Sequence, residues 1–326
     1  MSSGETMPSG LAVDRCDGEH ASTSPMSPPP AVVWHQPVMS APVLHYLNPR
    51  PGAVIVDGTV GTGGHSLAIL PRLLPNGRLV AVDQDGEALA LARQRLAEFA
   101  PLVEFVHDNF RNLPQILSRL GLSSVDGVLL DLGMSSLHVD SAERGFSFSK
   151  EGPLDMRMDR EQEATAAVLV NELSADELAL ILETLGEERF AQRIAHQIVQ
   201  QRRTRPITTT TQLARVVVDA LPPSARRGRL HPATRAFQAL RIALNDELGA
   251  LEALLEELSG LLRPGGRAVM LTFHSLEDRL VKRQVLQGGR EGVWTVLTKK
   301  PIRPTKDEVS QNPRARSAKL RALERR

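Results

Sequence analysis

A chain of 326 residues with 41% hydrophobic content can bury the core of one large domain or of two smaller ones, and its net charge of +1 singles out no partner. The only cysteine, Cys16, excludes an intrachain disulfide and a cysteine-based zinc site, so a reducing, cytoplasmic setting with no structural metal is expected. No apolar run reaches the roughly 18 residues of a membrane span, and the N-terminus lacks the apolar core of a signal peptide, so no membrane partner is expected.

Residues 1–30 are rich in Ser, Gly, Met and Pro, end in Pro28-Pro29-Pro30, and read as a disordered tail. An α/β alternation follows. Apolar runs predict strands at Val54–Asp57, Leu79–Asp83, Val103–His107 and Gly127–Leu132. Between them lie helix-length segments at Ser66–Leu74, Glu87–Phe99 and Leu113–Leu120. Such alternation predicts a doubly wound parallel sheet. After Asp131 it stops. A loop over Ser141–Asp159 leads into helical spacing at Ala164–Leu173, Ser174–Leu185, Glu187–Arg203 and Thr208–Leu221, the second opened by a capping box, Ser174-Ala-Asp-Glu177. A long amphipathic helix is predicted over Ala233–Leu262, stopped by Pro264-Gly265-Gly266 before a fifth strand, Arg267–Phe273. That apolar strand needs cover on both faces, which favours an all-helical insertion into one sheet domain over two consecutive domains. The division is 1–30 tail, 31–140 sheet domain, 141–232 inserted helical substrate-binding domain, and 233–326 the rest of the sheet domain with a basic end.

The first strand runs into Asp57 and a turn containing Gly58, Gly61, Gly63 and Gly64, and Asp83 ends the second strand. Strand, glycine turn, helix, strand and acid is how an α/β sheet holds a nucleoside-bearing cofactor, the second acid accepting from ribose hydroxyls. Gly-x-Gly-x-x-Gly and Gly-Lys-Ser/Thr are both absent, which disfavours dinucleotide and P-loop readings. Asp57, Gly61 and Gly63 instead resemble the first motif of S-adenosylmethionine-dependent methyltransferases. Asp108 and Phe110 follow the third strand, where such enzymes meet the adenine; the alternative is a helix-capping Asp and a core Phe. Asp131-Leu-Gly-Met-Ser-Ser136 ends the fourth strand, where open α/β sheets place reacting groups. There Asp131 could accept from an amine while Ser135 and Ser136 offer hydroxyls; the alternative is an N-cap. His274, after the fifth strand, is a base, an RNA contact or a structural histidine, and Ser275 with Glu277 and Asp278 could simply open a helix. Basic clusters at Arg202-Arg203-Thr-Arg205, Arg226-Arg227-Gly-Arg229 and Lys299–Arg326 suggest a positive surface for phosphates. One or two of Trp34, Phe146, Phe148 and Phe273 could sandwich a base.

The ordered blocks His35-Gln-Pro-Val, Val56-Asp-Gly-Thr-Val-Gly-Thr-Gly-Gly-His-Ser66, Asp126–Ser136, Glu143-Arg-Gly-Phe-Ser-Phe148, Pro153-Leu-Asp-Met-Arg-Met-Asp159, Thr234–Ile242, Phe273-His-Ser-Leu-Glu-Asp-Arg279 and Asn312–Arg321 together resemble the bacterial 16S ribosomal RNA cytosine-N4-methyltransferases, the RsmH or MraW family. The resemblance runs from His35 to Arg321. It implies a Rossmann-like class I methyltransferase sheet with the helical insertion, and transfer of a methyl group from S-adenosyl-L-methionine to N4 of a cytidine in the decoding region of 16S rRNA, met within the small ribosomal subunit. It also carries cofactor contacts onto Gly63, Gly64, His65, Asp83, Phe110, Asp131 and His138, the last standing where the family often has Gln. The catalytic candidates are Asp131, Ser135, Ser136 and His274.

Overall fold

The structure is a computed structural model that describes residues 36–228 and 230–326; the tail, Cys16, Trp34, His35 and Arg229 lie outside the described residues. Seven strands form one sheet: β1 (Val54–Asp57), β2 (Arg78–Asp83), β3 (Val103–His107), β4 (Val125–Asp131), β5 (Leu262–Thr272), β6 (Trp294–Val296) and β7 (Lys319–Arg325). Their order is β3-β2-β1-β4-β5-β7-β6, with β1 to β5 parallel and β7 antiparallel to both β5 and β6. The chain winds outward from β1 through β3 and returns to the other side at β4. The strand order therefore reverses between β1 and β4, where a crevice opens at the strands' carboxyl ends.

The helices are α1 (Ser40–Leu47), α2 (Gly64–Leu73), α3 (Gly86–Arg95), α4 (Leu113–Arg119), α5 (Ser136–Asp140), α6 (Ala166–Glu172), α7 (Ala175–Thr184), α8 (Ala191–Thr204), α9 (Thr210–Ala220), α10 (Thr234–Asn245), α11 (Glu247–Leu261), α12 (Ser275–Arg290) and α13 (Lys306–Gln311). Neighbouring strand residues enter opposite layers. Ile55, Leu79, Leu129 and Val269 pack under α1, α2 and α3, whereas Val56, Val80, Leu130 and Met270 pack under α4, α11 and α12. Burial on both faces is why these strands read as continuous apolar runs instead of alternating ones. A third core joins α6 to α10 with Leu154, Met156 and Met158.

The long helix expected over Ala233–Leu262 is two. Asp246 takes a left-handed backbone (φ 46°, ψ 44°) and separates α10 from α11. The break divides one apolar pattern between two cores: Ala236, Phe237 and Leu240 of α10 face the helical layer, and Leu251, Leu254 and Leu258 of α11 face the sheet. Buried Asn245 fixes the position, its Oδ1 accepting from Met158 N (2.8 Å) and its Nδ2 donating to Met156 O (2.9 Å). The helical core thus extends past residue 232. Pro264-Gly265-Gly266 does not precede the fifth strand but lies inside it as an irregularity between the Val125–Leu262 and Gly127–Arg267 pairs.

The basic C-terminal run also differs from expectation. Leu320, Arg321, Ala322 and Leu323 of β7 are buried between β5 and β6. Lys319 Nζ and Arg321 Nε each lie 2.8 Å from the Asp278 carboxylate, and Arg325 donates to Leu262 O, so these cations serve the fold. Arg202 likewise donates to Val170 O at 2.7 Å. Arg203, Arg205, Arg227, Lys299, Lys300, Arg303, Lys306 and Arg316 are exposed. No helix among the described residues is long and apolar enough to cross a membrane.

Candidate active site

A cavity of about 520 Å³ opens at the β1–β4 crevice, a volume suited to a nucleoside cofactor with room for part of an acceptor. Its floor is the glycine turn. Gly63, at φ 80°, occupies the left-handed region that favours glycine, and a Cβ there would stand 3.2 Å from Leu96 Cγ. Gly63 caps α2 without a side-chain hydrogen bond, so the first amides of that helix are left to donate to a ligand's carboxylate. Asp83 holds the turn from the side: its Oδ2 accepts from Gly61 N (2.7 Å) and its Oδ1 from Asp85 N (2.9 Å). Burial pushes the Asp83 carboxyl above the usual carboxylate range despite those two bonds. A hydroxyl pair donating to it would supply the solvation that burial removed.

Asp57 lies beneath the turn at 1% exposure and accepts from Ser66 Oγ (2.7 Å) and Thr59 N (3.3 Å). Burial pushes its pKa up to about 6, against the lowering by Ser66 and His65. Thr59 Oγ1 accepts from Asp131 N (2.6 Å), which ties the tip of β4 to the turn after β1. Asp131 Oδ2 stands 3.4 Å from His65 Nε2, yet Asp131 Oδ1 and His65 Nε2 are buried without a hydrogen bond. Burial disfavours the charged imidazole of His65, but the Asp131 carboxylate outweighs it and raises the His65 pKa. Two unsatisfied polar atoms on residues that line a cavity mark where a ligand's polar groups fit.

Gly64, Phe110, Ser135, Ser136, His138 and His274 line the same cavity as Asp83 and Asp131. Asp108 is not among its lining residues and works as a local cap, accepting from Asn109 N (2.8 Å) and Asn112 Nδ2 (2.7 Å). Both ring nitrogens of His138 are engaged: Nδ1 accepts from Ser135 N (3.2 Å) and Nε2 lies 2.6 Å from Asp85 Oδ2. The ring also stacks on Phe146 with centroids 4.5 Å apart. Its evident effect is to hold the Asp131–Ser136 loop against β2. Ser135 Oγ caps α5, and Ser136 Oγ accepts from Arg314 Nη1 (2.5 Å) while keeping its own proton to donate. His274 caps α12, its Nδ1 accepting from Glu277 N (3.4 Å), while buried Nε2 stands 3.0 Å from Glu277 Oε1 without a hydrogen bond. Of the aromatics, Phe273 lines the cavity, whereas Phe148 packs on His231 and Phe237.

Sequence reasoning missed Thr59, Gln238, Arg241, Asn245, Glu247, Glu277 and Arg314, all of which line the cavity. A signal existed for three of them. Gln238, Arg241 and Asn245 recur at helical spacing on one side of an otherwise apolar helix, a polar stripe that had to meet something other than a core.

A seven-stranded sheet with its β7 strand reversed, a glycine turn braced by an acid on β2, and an acid at the tip of β4 define the class: an S-adenosylmethionine-dependent methyltransferase with a Rossmann-like fold. Within that class the chain belongs to the MraW methylase family, whose family model matches residues 32–326. It is 51% identical over 306 residues to the ribosomal RNA small subunit methyltransferase H of Geobacter sulfurreducens, covering 89% of this chain and 98% of that one. The protein of the same name from Symbiobacterium thermophilum is 49% identical over 304 residues, covering 89% and 96%. A solved rRNA methylase of Streptococcus thermophilus overlaps it at a TM-score of 0.40 and 14% identity, covering 88% of this chain and 94% of that one.

Proposed function

We propose that this chain transfers the methyl group of S-adenosylmethionine to the exocyclic N4 of a cytidine in the decoding region of 16S rRNA, acting on the small ribosomal subunit in the cytoplasm. Membership of a methylase family whose relatives carry the name ribosomal RNA small subunit methyltransferase supports the coarser part, an rRNA methyltransferase. The observation that carries the finer part is Asp131: a cavity-lining carboxylate at the tip of β4 whose Oδ1 is buried without a hydrogen bond.

S-adenosylmethionine supplies the methyl group on a positively charged sulfur. A cytosine amine is a weak nucleophile because its lone pair is delocalised into the ring, so the protein's task is alignment and a route for the departing proton. Asp131 accepts an N–H of the amine and directs its lone pair at the methyl group. Thr59 and His65 hold Asp131 in place. Ser135, Ser136 and His274 stand round the same cavity as further contacts to the base or the departing proton. Gly63 and Gly64 with the start of α2, His65, Asp83 and Phe110 would hold the cofactor. Attack at cytosine C5 ordinarily needs a cysteine nucleophile, and none of the described residues is a cysteine. The base has to leave its stack to reach the cavity, and the helical layer with the exposed cations offers a grip on the surrounding RNA.

The test is mass mapping of modified nucleosides in 16S rRNA from cells with the protein, without it, and with Asp131→Ala. The expected outcome is one N4-methylated cytidine in the decoding region, lost without the protein and reduced about 100-fold or more in turnover by the substitution. A modified-nucleoside map unchanged by removal of the protein would sink the proposal.

A further inference from the structure

The cavity does not end at the cofactor turn. Its lining continues onto α10 and α11, where Gln238, Arg241, Asn245 and Glu247 join His274 and Glu277. Arg241 is buried to 7% exposure, and its guanidinium is only partly spent: Nε donates to Glu247 Oε1 (2.7 Å) and Nη2 to Glu247 Oε2 (2.9 Å). A guanidinium carries five N–H donors in a fixed plane, and that pair uses two. Among the described residues the side chain makes no other hydrogen bond, so Nη1 keeps both of its hydrogens. A buried cation with donors to spare is costly unless a ligand or water takes them. Beside it, His274 Nε2 is also buried without a hydrogen bond.

The charge balance says what kind of ligand fits. Glu247 neutralises Arg241. Burial pushes Glu277 up, but the adjacent His274 ring and the Arg241 guanidinium, with Phe273 N donating to Glu277 Oε2, outweigh it and hold Glu277 below the usual carboxylate range. This arm therefore offers directed N–H donors without net positive charge, which disfavours a phosphate or a free carboxylate. The guanidinium on Glu247 equally disfavours a metal ion, although oxygen and nitrogen atoms of Glu247, His274 and Glu277 come within 4.8 Å of one another. A neutral group with adjacent acceptors remains. Next to its amine, cytosine presents N3 as an acceptor, with O2 beyond it; uracil presents N3–H, a donor that Arg241 would repel.

We infer that Arg241 determines base specificity: clamped by Glu247, it donates from Nη1 to N3 of the target cytosine. The inference rests on the cytidine-N4 reading above. It is tested with full-length protein and reconstituted small subunits whose 16S rRNA carries either cytidine or 3-deazacytidine, which has C–H in place of N3, at the methylated position. On cytidine, Arg241→Gln is expected to lower kcat/KM about 10- to 100-fold with unchanged S-adenosylmethionine affinity by calorimetry. On 3-deazacytidine the variant and the wild type are expected to differ less than about threefold, because the bond is absent from both. Arg241→Lys keeps the charge but not the planar fork and should repeat the pattern, which covers the case in which the Gln variant does not fold. An equal loss on both substrates, or a weakened cofactor affinity, overturns the assignment. Failure of the wild type to form N4-methylcytidine on natural subunits would instead remove the underlying reading, and shows in that arm alone.

Discussion

Asp57 is a carboxylate placed where the fold solvates it least. At 1% exposure, with Ser66 and Thr59 as its hydrogen-bond donors, it is pushed up to about 6 from 3.8, mainly by burial. Its folded pKa is raised, so the native state binds a proton that the unfolded chain has already released. Stability therefore falls as pH rises from about 4 to about 6 and stays penalised above that, by an amount on the order of 3 kcal/mol. Asp57→Asn has no such titration. The difference in Tm between variant and wild type is expected to move in the variant's favour between pH 4 and pH 7, read by thermal melts of the cofactor-free protein; parallel curves would show that Asp57 carries no such penalty. A glycine turn preceded by Asp57 and followed by Asp83 was legible in sequence because glycine and strand-end acids have few other uses in that order. The contact of His138 was not, because its partner Asp85 lies 53 positions away.

Among the elements, the connections around β2 and α3 depend on one side chain. Arg144 is 3% exposed and bonds Asp85 (2.8 Å), Glu87 (3.0 Å) and the carbonyls of Arg157 (2.9 Å) and Met158 (3.2 Å). Arg144 and His138 together hold the Asp85 carboxyl down to about 2 against the effect of burial. Asp85 in turn caps α3 through Glu87 N and Ala88 N. Removing the guanidinium takes the permanent cation from buried Asp85, which keeps only His138 and two amides, and leaves two carbonyls without their donor, so Arg144→Ala is expected to cost about 3–5 kcal/mol in urea unfolding. A loss below about 1 kcal/mol would mean that water substitutes for it freely. Periodicity located β1 to β4 and the helices between them to within a few residues, since burial on both faces leaves an unambiguous apolar signature. It missed the α10–α11 break, because the helical pattern continues through Asp246 and only the choice of two different cores stops the helix there. It missed β7 because Lys319, Arg321 and Arg325 mask a strand whose positive charges are answered by Asp278 and Leu262 O.

At the scale of the whole molecule, near-neutral net charge conceals a division of labour. Part of the basic complement is spent on internal partners, and the exposed part includes Arg203, Arg205, Arg227, Lys299, Lys300, Arg303, Lys306 and Arg316. If about five of these meet phosphates, log affinity for ribosomal RNA should fall against log salt with a slope of about −3.5. Filter binding between 50 and 200 mM salt, as rough bounds, reads it, and a flat line would remove the phosphate role. α13 and the segment that follows it also border the cavity, which Gln311, Asn312, Arg314 and Ser317 line. Asn312 Nδ2 donates to Gln36 O (3.3 Å), Glu308 accepts from Met39 N (2.5 Å), and Arg314 bonds Ser136 and Asp140.

That placement sets a timetable. A nascent chain that has delivered β1 to β5 still has β5 as an open edge, since β7 is what separates it from β6. It also lacks the residues that close one side of the cavity and pin Ser136 from 178 positions away. Until residues 306–325 have emerged, a growing polypeptide can fold its early strands but has no finished chamber in which to align a methyl donor with its RNA acceptor. Fragments left by interrupted translation should therefore be inert toward RNA methylation, and competence should arrive in a single late step.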